Sequence, residues 1–328
     1  MEKTTGFRMM VVIFVVLFFC ASQILGQEKK FPDTAINLYI CYPPGGGVGN
    51  AAQILAEGLK KNLGQPVIVN FKPGAAQAIA GDFVFKCKPD GYSLLYVTET
   101  DFIPKLIKDA SLLKYSMDDF VSLGASPYSP YALAVNAESP WKTLDDLIAH
   151  GRKSPPGTLS YGSVGVATTA HLSAELFSQL TGIALNHIPF QGGGPADTAL
   201  MGGHVHMCFG SVGRFGARLR PGGGLRPLAI LDKKRAPDFP DVPTMLEKGY
   251  DMQLLLWNGL HAPKGLPNDV KSILVRAFEK TAKDPEMISA LSKAGYYHFY
   301  LNPEGQDKQI QTDYKVLKNI LSKAGLLN

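Results

Sequence analysis

The sequence predicts an α/β fold with two lobes, and three observations support this prediction. Apolar runs of strand length alternate with stretches of helical periodicity from residue 36 to about residue 126. A second series of the same kind begins near residue 131. In each series, a strand is followed by a loop of small residues that opens a helix. Since this alternation is typical of parallel strands joined by crossover helices, we expect ligand-binding loops beyond the carboxyl ends of the strands.

The N-terminal segment is typical of a secretory signal peptide. Basic residues precede an apolar run over residues 9–19, and small residues then lead into a polar sequence. The apolar run is shorter than the roughly 20 residues of a transmembrane helix. We predict a signal peptide over residues 1–22, with cleavage after residue 26 as an alternative. Lipidation of Cys20 is a further alternative, which the bulky aromatic residues before it disfavour.

Composition and charge describe a globular protein without a nucleic-acid partner. About 300 residues remain after the leader, which is enough for two lobes of ordinary size. The formal net charge is +5, and the sequence has no basic run with interleaved aromatic residues. We therefore expect no binding to nucleic acid. Beyond the leader the cysteines are Cys41, Cys87 and Cys208, whose odd number and wide spacing predict no disulfide framework.

The first strand and the loop after it predict an anion site. An apolar run over residues 36–42 ends at a loop rich in proline and glycine over residues 43–49, and helical periodicity restarts at Asn50. Glycines let the backbone approach a ligand closely, and the unpaired N–H groups of a first helical turn attract negative charge. The ligand that this loop favours is therefore an anion.

The same loop also resembles two nucleotide-binding motifs. Residues 47–52 match the dinucleotide pattern G-x-G-x-x-A, but the next strand ends in Asn70 rather than in the acidic residue that would hold the ribose. A phosphate-binding P-loop is disfavoured because no Gly-Lys-Ser or Gly-Lys-Thr follows the glycines. A turn without a ligand is the remaining alternative.

The first series continues with a strand over residues 66–70, a helix over residues 77–86 and a strand over residues 93–98. Two more loops follow strands in this interpretation, over residues 72–76 and 98–101. Because they end strands of the same sheet, we expect them beside the first loop at the ligand-binding edge.

The second series begins with a strand over residues 131–136. Thr143 then caps a helix over residues 144–151, and a strand follows over residues 158–162. Residues 163–169 combine small residues with hydroxyls and open the next helix, so they repeat the chemistry of the first loop. The later elements are a strand that ends at a loop over residues 189–195, strands over 204–209 and 226–231, an extended segment over 252–260, and helices over 269–281, 285–294 and 305–324.

Candidate catalytic and metal-binding residues do not form a known motif. The turns at Ser163 and Ser211 lack the glycine two residues earlier that a nucleophile elbow needs. His204, His206 and Cys208 recur at period two, but no carboxylate joins them at ligand spacing, so we favour a strand whose alternate residues face the core. We expect a binding protein without metal or cofactor, and an exported serine hydrolase is the alternative.

Short motifs that follow one another along nearly the whole exported chain resemble one known family. They are Pro44-Gly45-Gly46-Gly47, Leu63-Gly64-Gln65-Pro66-Val67, Lys72-Pro73-Gly74-Ala75, Lys88-Pro89-Asp90-Gly91-Tyr92, Ser139-Pro140-Trp141-Lys142-Thr143, Tyr161-Gly162-Ser163, Ile188-Pro189-Phe190-Gln191-Gly192-Gly193 and Gly202-Gly203-His204-Val205. In this order they resemble the tripartite tricarboxylate transporter receptor family, also called the Bug family. Each motif alone is weak, and the ordered set is specific.

The resemblance implies a receptor of the type II periplasmic binding-protein fold. Such a receptor has two α/β lobes joined by a two-crossing hinge, with the ligand cleft between them. It would capture a small organic carboxylate in the periplasm (a di- or tricarboxylate, an aromatic acid or an acidic amino acid) and deliver it to the subunits of a tripartite membrane permease. We expect a monomer in which residues 27–126 and 252–328 form lobe 1 and residues 127–251 form lobe 2.

The same resemblance implies ligand contacts by backbone N–H groups and hydroxyls. Carried over by motif, the contacts fall on the first loop, on the helix start of the second lobe and on the cleft walls: Gly45, Gly46, Gly47 and Val48; Ser163, Thr168 and Thr169; and Ala75, Gln191, Gly192 and Gly193. These loops contain no lysine or arginine, so we expect helix N-termini and hydroxyls rather than an ion pair to hold the anion. The chain departs from the family at Val48-Gly49 and at Gly210, where acidic residues are common in relatives.

Overall fold

The computed structural model describes residues 30–108 and 113–327. The predicted signal peptide, its cleavage sites and Cys20 therefore lie outside the described residues. Within the two described ranges, no helix combines the length and the apolar character that crossing a membrane requires.

The strands of the described residues form two sheets that share one strand. Their bounds are β1 (Ile36–Ile40), β2 (Val67–Phe71), β3 (Ser93–Thr98), β4 (Phe120–Asn136), β5 (Leu159–Ser163), β6 (Leu185–Pro189), β7 (Met207–Ser211), β8 (Leu225–Ile230) and β9 (Leu255–Pro263). In the first sheet, β1 pairs in parallel with β2 and β3, and β9 pairs antiparallel with β3 and β4. In the second sheet, β4 pairs antiparallel with β7 and β8, and β5 pairs in parallel with β6 and β7. Pairing through β4 joins the nine strands of the described residues into one continuous sheet. Each of its two parts, with the helices that pack on it, forms one of the two α/β lobes that the sequence predicts.

Strand β4 runs from one sheet into the other. Its residues 120–130 pair with β9, and its residues 131–136 pair with β7 and β8. The sequence predicted only the second half as a strand, because prolines interrupt the strand signal in the first half. Pro127 lies at a register irregularity between Ala125 and Tyr128, where the ladder does not require a donor from it.

The helices follow the strands in the alternating order that the sequence predicts. They are α1 (Gly47–Leu63), α2 (Ala78–Phe85), α3 (Glu99–Lys108), α4 (Leu144–Lys153), α5 (Thr169–Thr181), α6 (Gly193–Met201), α7 (Val212–Phe215), α8 (Asn268–Lys283), α9 (Pro285–Lys293) and α10 (Pro303–Lys323). The predicted cap of α4 is confirmed, because the Thr143 hydroxyl accepts a hydrogen bond from the Asp146 amide at 3.2 Å. The Asp146 carboxylate accepts in return from the Thr143 amide at 2.9 Å, which completes a capping box.

Several predicted element starts were wrong by a few residues. Helix α1 begins at Gly47 rather than at Asn50, and α3 and α6 begin inside segments that were predicted as loops, over residues 98–101 and 189–195. Periodicity places these starts too late because the first turn of each helix supplies few apolar residues to the core. Strand β7 begins at Met207, so the predicted strand over residues 204–209 starts too early and both histidines precede it.

The apolar face of α1 holds the first loop against the first sheet. Ala51, Leu55 and Leu59 are buried in one core with Ile36 and Leu38 of β1. Burial of a leucine or isoleucine side chain stabilises a fold by roughly 1.5–3 kcal/mol relative to exposure. The N-terminus of α1 is thereby fixed at the carboxyl end of β1.

Candidate functional site

Two adjoining cavities lie at the carboxyl ends of the strands, and residues from both lobes line them. The first cavity has a volume of about 280 Å³ and the second a volume of about 630 Å³. Tyr42, Pro43, Val164, Gln191 and Gly192 line both. The two cavities therefore form one cleft with a shared wall.

The N-terminus of α1 opens into the first cavity. Gly45, Gly46, Gly47 and Val48 line this cavity, and Gly46 is the N-cap residue, without a side-chain hydrogen bond that caps the helix. The N–H groups of the first turn are thus available to a ligand, and the helix dipole favours an anion there. A β-carbon at Gly47 would lie 2.9 Å from the hydroxyl of Tyr296, so glycine is required for this close approach.

The hydroxyl of Tyr296 is a donor without an acceptor beside this helix start. Tyr296 is fully buried and lines the first cavity, and its hydroxyl has no hydrogen-bond partner among the described residues. Burial raises the pKa of Tyr296, so the hydroxyl keeps its proton. An unsatisfied buried polar group costs about 1–3 kcal/mol, which an acceptor atom in the cavity would recover.

A second uncapped helix start, that of α6, lines the same cavity. Its N-cap Gly192 has φ +108°, a conformation that favours glycine, and no side chain of the described residues caps the helix. Gly193 and Gly194 continue the first turn along the cavity wall. Two helix N-termini, one from each lobe, therefore face the first cavity.

An ion pair that the sequence did not predict supports this region. The guanidinium of Arg214 donates to Oδ1 of Asp197 from Nε at 3.1 Å and from Nη2 at 2.5 Å. Both side chains are largely buried, and both residues line the first cavity. Burial has the largest single effect and lowers the pKa of Arg214, but the charge and hydrogen bond of Asp197, together with Cys208 and Tyr131, raise the pKa overall. Arg218 lies 3.8 Å from the other Asp197 oxygen and is partly exposed at the cavity wall.

The helix start of α5 differs, because a carboxylate of the protein already occupies it. The amide and the hydroxyl of Thr169 donate to Oδ1 of Asp101 at 2.6 Å and 2.5 Å. The hydroxyl of Tyr42 donates to the other oxygen of Asp101. Asp101 is only 1% exposed, although it borders the first cavity. The Thr169 hydroxyl, which the sequence predicts to contact a ligand carboxylate, contacts a carboxylate of α3 in the structure.

The structure distributes the predicted site residues over three places. Gly45, Gly46, Gly47, Val48 and Gly193 line the first cavity, Ala75 and Thr168 line the second, and Gln191 and Gly192 line both. Ser163 and Thr169 line neither cavity and are fully buried. Two basic side chains outside the predicted loops, those of Arg214 and Arg218, also border the first cavity. Local sequence offers no signal for these arginines, because the fold brings them there from a distant turn.

The two serines of the hydrolase alternative are engaged in structural contacts. Ser163 Oγ lies 2.6 Å from Nε2 of His187, and burial lowers the pKa of this histidine to about 4. This pair resembles a nucleophile with its base, but Ser163 lines neither cavity and cannot meet a substrate there. Ser211 does line the first cavity, and its hydroxyl accepts from the amide of Arg214 at 3.1 Å, as the cap of a turn.

The histidines before β7 do not form a metal site. His206 accepts from the amide of Ser160 through Nδ1 at 3.0 Å, and Cys208 is fully buried. Over residues 30–108 and 113–327, no group of three or more His, Cys, Asp or Glu side chains is arranged to hold a metal ion.

Comparison with known proteins identifies relatives along most of the chain. The family model described as "Tripartite tricarboxylate transporter family receptor" matches residues 51–326. The chain is 34% identical over 310 residues to the UPF0065 protein in the gbd 5′ region of Cupriavidus necator, across 92% of this chain and 90% of that protein. It is 32% identical over 271 residues to protein BugT of Bordetella pertussis, across 82% of each.

Solved structures share the fold over almost their entire length. A structure described as a periplasmic transporter is 30% identical, with a TM-score of 0.85 over 90% of this chain and 99% of the other. The periplasmic binding protein BugD is 26% identical, with a TM-score of 0.81 and the same coverage. Rpa4515 of R. palustris, solved with adipate, is 24% identical with a TM-score of 0.83, again over 90% of this chain and 99% of the other.

Proposed function

This chain belongs to the tripartite tricarboxylate transporter receptor family, and from that premise we propose that its first cavity binds the carboxylate group of a small organic acid for delivery to a tripartite membrane permease. Members of this family are substrate-binding receptors. We propose that the protein acts in the periplasm, after removal of the signal peptide, and that it binds its acid reversibly without turnover.

One observation carries the proposal: two uncapped helix N-termini and an unpaired hydroxyl face the same cavity. The first turns of α1 and α6 supply backbone donors, and Tyr296 supplies a buried side-chain donor. Backbone donors are fixed before binding, and charge-assisted hydrogen bonds contribute about 1.5–3 kcal/mol each. A carboxylate satisfies several of these donors at once, and Rpa4515, which shares this fold, was solved with the dicarboxylate adipate.

We assign the ligand contacts to the residues that border the first cavity. The carboxylate would accept from the backbone of Gly46, Gly47 and Val48 and from the hydroxyl of Tyr296. Gln191, Gly192 and Gly193 would close the opposite wall, and the partly exposed guanidinium of Arg218 would add a mobile positive charge. Ala75 would border the part of the ligand that extends into the second cavity, whereas Thr168, whose hydroxyl donates to the carbonyl of Gly165, would line that cavity without contacting the ligand. Ser163 and Thr169 then act as support beneath the site rather than as ligand contacts.

The lobes would close on the ligand about two hinge segments. We propose that residues 27–126 and 252–328 move as lobe 1 and that residues 127–251 move as lobe 2. The open and closed states of a monomeric receptor of this design differ in their affinity for the ligand, so ligand binding changes the shape that the permease recognises. Solution scattering with a bound acid should therefore show a smaller radius of gyration than the acid-free protein, and an unchanged radius at saturation would contradict closure.

A thermal-shift screen tests the binding function. The screen would use succinate, adipate, citrate, benzoate and aspartate on the mature protein, with the fully esterified methyl esters as controls that lack carboxylate groups. A ligand that binds only the native state adds about 2.7 kcal/mol of stability at 100 times its Kd, which raises Tm measurably. We expect at least one free acid, and none of its esters, to raise Tm. Labelling by a fluorophosphonate probe, with no acid raising Tm, would instead support the hydrolase.

A further inference from the structure

The carboxylate of Asp101 occupies a helix N-terminus that faces the ligand cleft from the other lobe. Asp101 lies in the first turn of α3, directly after β3 of the first sheet. The groups that donate to its Oδ1 are the amide and the hydroxyl of Thr169, at the start of α5 beside the second sheet. A side chain of one lobe thus supplies the anion that the helix dipole of the other lobe favours.

The contact between Asp101 and Thr169 lies in the interior of the protein and not on its surface. Asp101 and Thr169 are 1% and 0% exposed. Tyr42, which follows β1, completes the set of donors from the wall that the two cavities share. Burial and the charge of Asp101 raise the pKa of Tyr42 well above its ordinary value, so this phenol remains a donor. The hydrogen bonds described here all come from groups without a formal charge, so they leave the negative charge of the carboxylate in place.

The position of this charge limits what the cavity can accept. Asp101 borders the first cavity together with Gly46, Gly47 and Tyr296, which we assign to the ligand carboxylate. The other carboxylate on the cavity wall, that of Asp197, is neutralised by Arg214. The first cavity therefore has donors for one acid group at the α1 start and, at Asp101, a carboxylate that no cation neutralises in the contacts described, and this carboxylate repels a further acid group because like charges repel strongly where water is excluded.

We infer that Asp101 determines specificity and makes this receptor select monocarboxylates, whose other end is neutral or donates a hydrogen bond, against dicarboxylates of the same length. The inference rests on the proposed function, since it concerns the same cavity. It distinguishes this chain from Rpa4515, which was solved with a dicarboxylate. In this receptor the side chain of Asp101 takes the helix N-terminus that could otherwise accept the second acid group of such a ligand.

Calorimetric titration with matched acids tests the inference. The pairs are butanoate with succinate, hexanoate with adipate, and benzoate with terephthalate, and 6-aminohexanoate adds a donor to the six-carbon series. With the wild-type protein, we expect the monocarboxylate of the best-bound pair to bind at least about 30-fold more tightly than its dicarboxylate. In the six-carbon series, 6-aminohexanoate should bind at least as tightly as hexanoate.

Two variants separate the charge of Asp101 from its structural contact. Asp101→Asn removes the charge with little change in shape, so we expect the preference for the monocarboxylate to fall by about 10-fold or more. Thr169→Val removes one donor to Asp101 and keeps the charge, so the preference should stay within about 3-fold of the wild type. Circular dichroism and Tm would establish that each variant is folded.

The outcomes separate this inference from the proposed function. A wild-type protein that binds the dicarboxylate of a pair as tightly as the monocarboxylate overturns the inference, even if Asp101→Asn does not fold. An unchanged preference in folded Asp101→Asn overturns it as well. Failure of every acid to bind would overturn the proposed function and this inference together, whereas binding of dicarboxylates as tightly as their matched monocarboxylates would overturn the inference alone.

Discussion

The N-termini of α1 and α5 face the same cleft, and the first is open whereas the second is filled. The start of α1 is formed by glycines and has an unpaired tyrosine hydroxyl beside it. The start of α5 is filled by the carboxylate of Asp101. The two loops carry similar small residues in the sequence. The difference teaches that a helix start becomes a ligand site only where the rest of the chain supplies no anion of its own.

The two helix starts also differ in how the protein supports them. Side chains brace the α5 turn: Nδ1 of His171 accepts from the amide of Ala167 at 2.9 Å, and the Thr168 hydroxyl donates to the carbonyl of Gly165 at 2.8 Å. The α1 turn instead depends on close backbone approach, since a β-carbon at Gly47 would meet the amide of Arg214 at 3.2 Å. The open start is thus held by its neighbours and leaves its own polar groups free for a ligand.

The largest expected effect is a loss of stability when the buried ion pair between Asp197 and Arg214 is broken. Asp197→Ala leaves the buried guanidinium of Arg214 without its partner, which should lower the free energy of unfolding by about 3–5 kcal/mol. Urea denaturation would measure this loss. Arg218→Ala is the control, because this partly exposed side chain lies 3.8 Å from Asp197 and should contribute less than about 1 kcal/mol. Equal losses in the two variants would contradict the role assigned to the buried pair.

The second-largest expected effect is a loss of ligand binding at the open start of α1. Gly46→Val places a side chain in front of the α1 N–H groups, and we expect it to weaken binding of the acid identified in the thermal screen by about 100-fold or more. The fold should be retained, because the nearest atom to a β-carbon at Gly46 is the carbonyl oxygen of Pro43, at 3.7 Å.

A matched variant at the filled helix start provides the comparison. Thr168→Val changes the N-cap residue of α5, which has no capping hydrogen bond from its side chain. Calorimetric titration should give a Kd within about 3-fold of the wild type for this variant. If both N-cap variants weaken binding alike, the distinction between an open and a filled start is wrong.

Sequence patterns predicted the alternation of strands and helices and the location of the cleft. Strand β3 and the cap of α4 at Thr143 were predicted at the correct residues, because period-two and capping signals are local. The first half of β4 was missed since Pro127 sits at a bulge that depends on its pairing with β9. A sheet can thus accept a residue that local propensity rejects when the register leaves it unpaired.

The sequence indicated where the helix starts lie better than it indicated which of them a side chain of the protein fills. The loops at Gly46 and Thr168 look equivalent locally, and the contact between Asp101 and Thr169 spans 68 residues of sequence. Arg214 and Asp197 likewise meet through the packing of α6 against the turn at α7. Such pairings are tertiary, so neither periodicity nor a motif could indicate which helix start remains open.

A smaller effect is expected at the filled helix start, and it concerns stability rather than binding. Thr169→Val removes a buried hydroxyl that donates to Asp101, which should cost about 1–3 kcal/mol of unfolding free energy. The Kd of the bound acid should change little, because the hydroxyl lines neither cavity. A large loss of affinity with unchanged urea stability would mean that Thr169 contacts the ligand directly.

Tyr296→Phe, at the open start of α1, should weaken ligand binding without lowering stability, which is the reverse of the result expected for Thr169→Val. Removing the unpaired hydroxyl takes no hydrogen bond from the described protein contacts, so stability should stay equal or increase slightly. Affinity for the acid should fall by about 10- to 150-fold, which corresponds to one charge-assisted hydrogen bond of roughly 1.5–3 kcal/mol. Titration and urea denaturation of the same preparation would measure both quantities. A destabilised variant with full affinity would contradict the assignment of this hydroxyl to the ligand.

The smallest expected effect is a dependence of stability on pH that is confined to the region of the filled α5 start. Burial first, and the charge of neighbouring His171 second, lower the pKa of His187 from 6.5 to about 4, while Glu175 opposes this shift. The imidazole of His187 stacks on His171 at 4.0 Å, beneath the α5 turn, and its Nε2 contacts Ser163.

The sign of this dependence follows from the direction of the shift. Between pH 6.5 and about 4, the unfolded chain binds the proton of His187 more readily than the folded protein does, so acidification through this window lowers stability. Because the ring is only partly buried, solvent screening should keep the loss below about 1 kcal/mol. Tm should therefore fall less in His187→Gln than in the wild type when the pH is lowered from 7 to 4.5. The hydrogen-exchange protection factor, which corrects for the intrinsic effect of pH on exchange, should fall at Ala167 of the α5 turn and not at Val48 of α1, because the α1 start has no histidine among the side chains that brace it in the described structure. An equal loss of protection at both turns would mean that acid loosens the whole protein and not only the α5 turn.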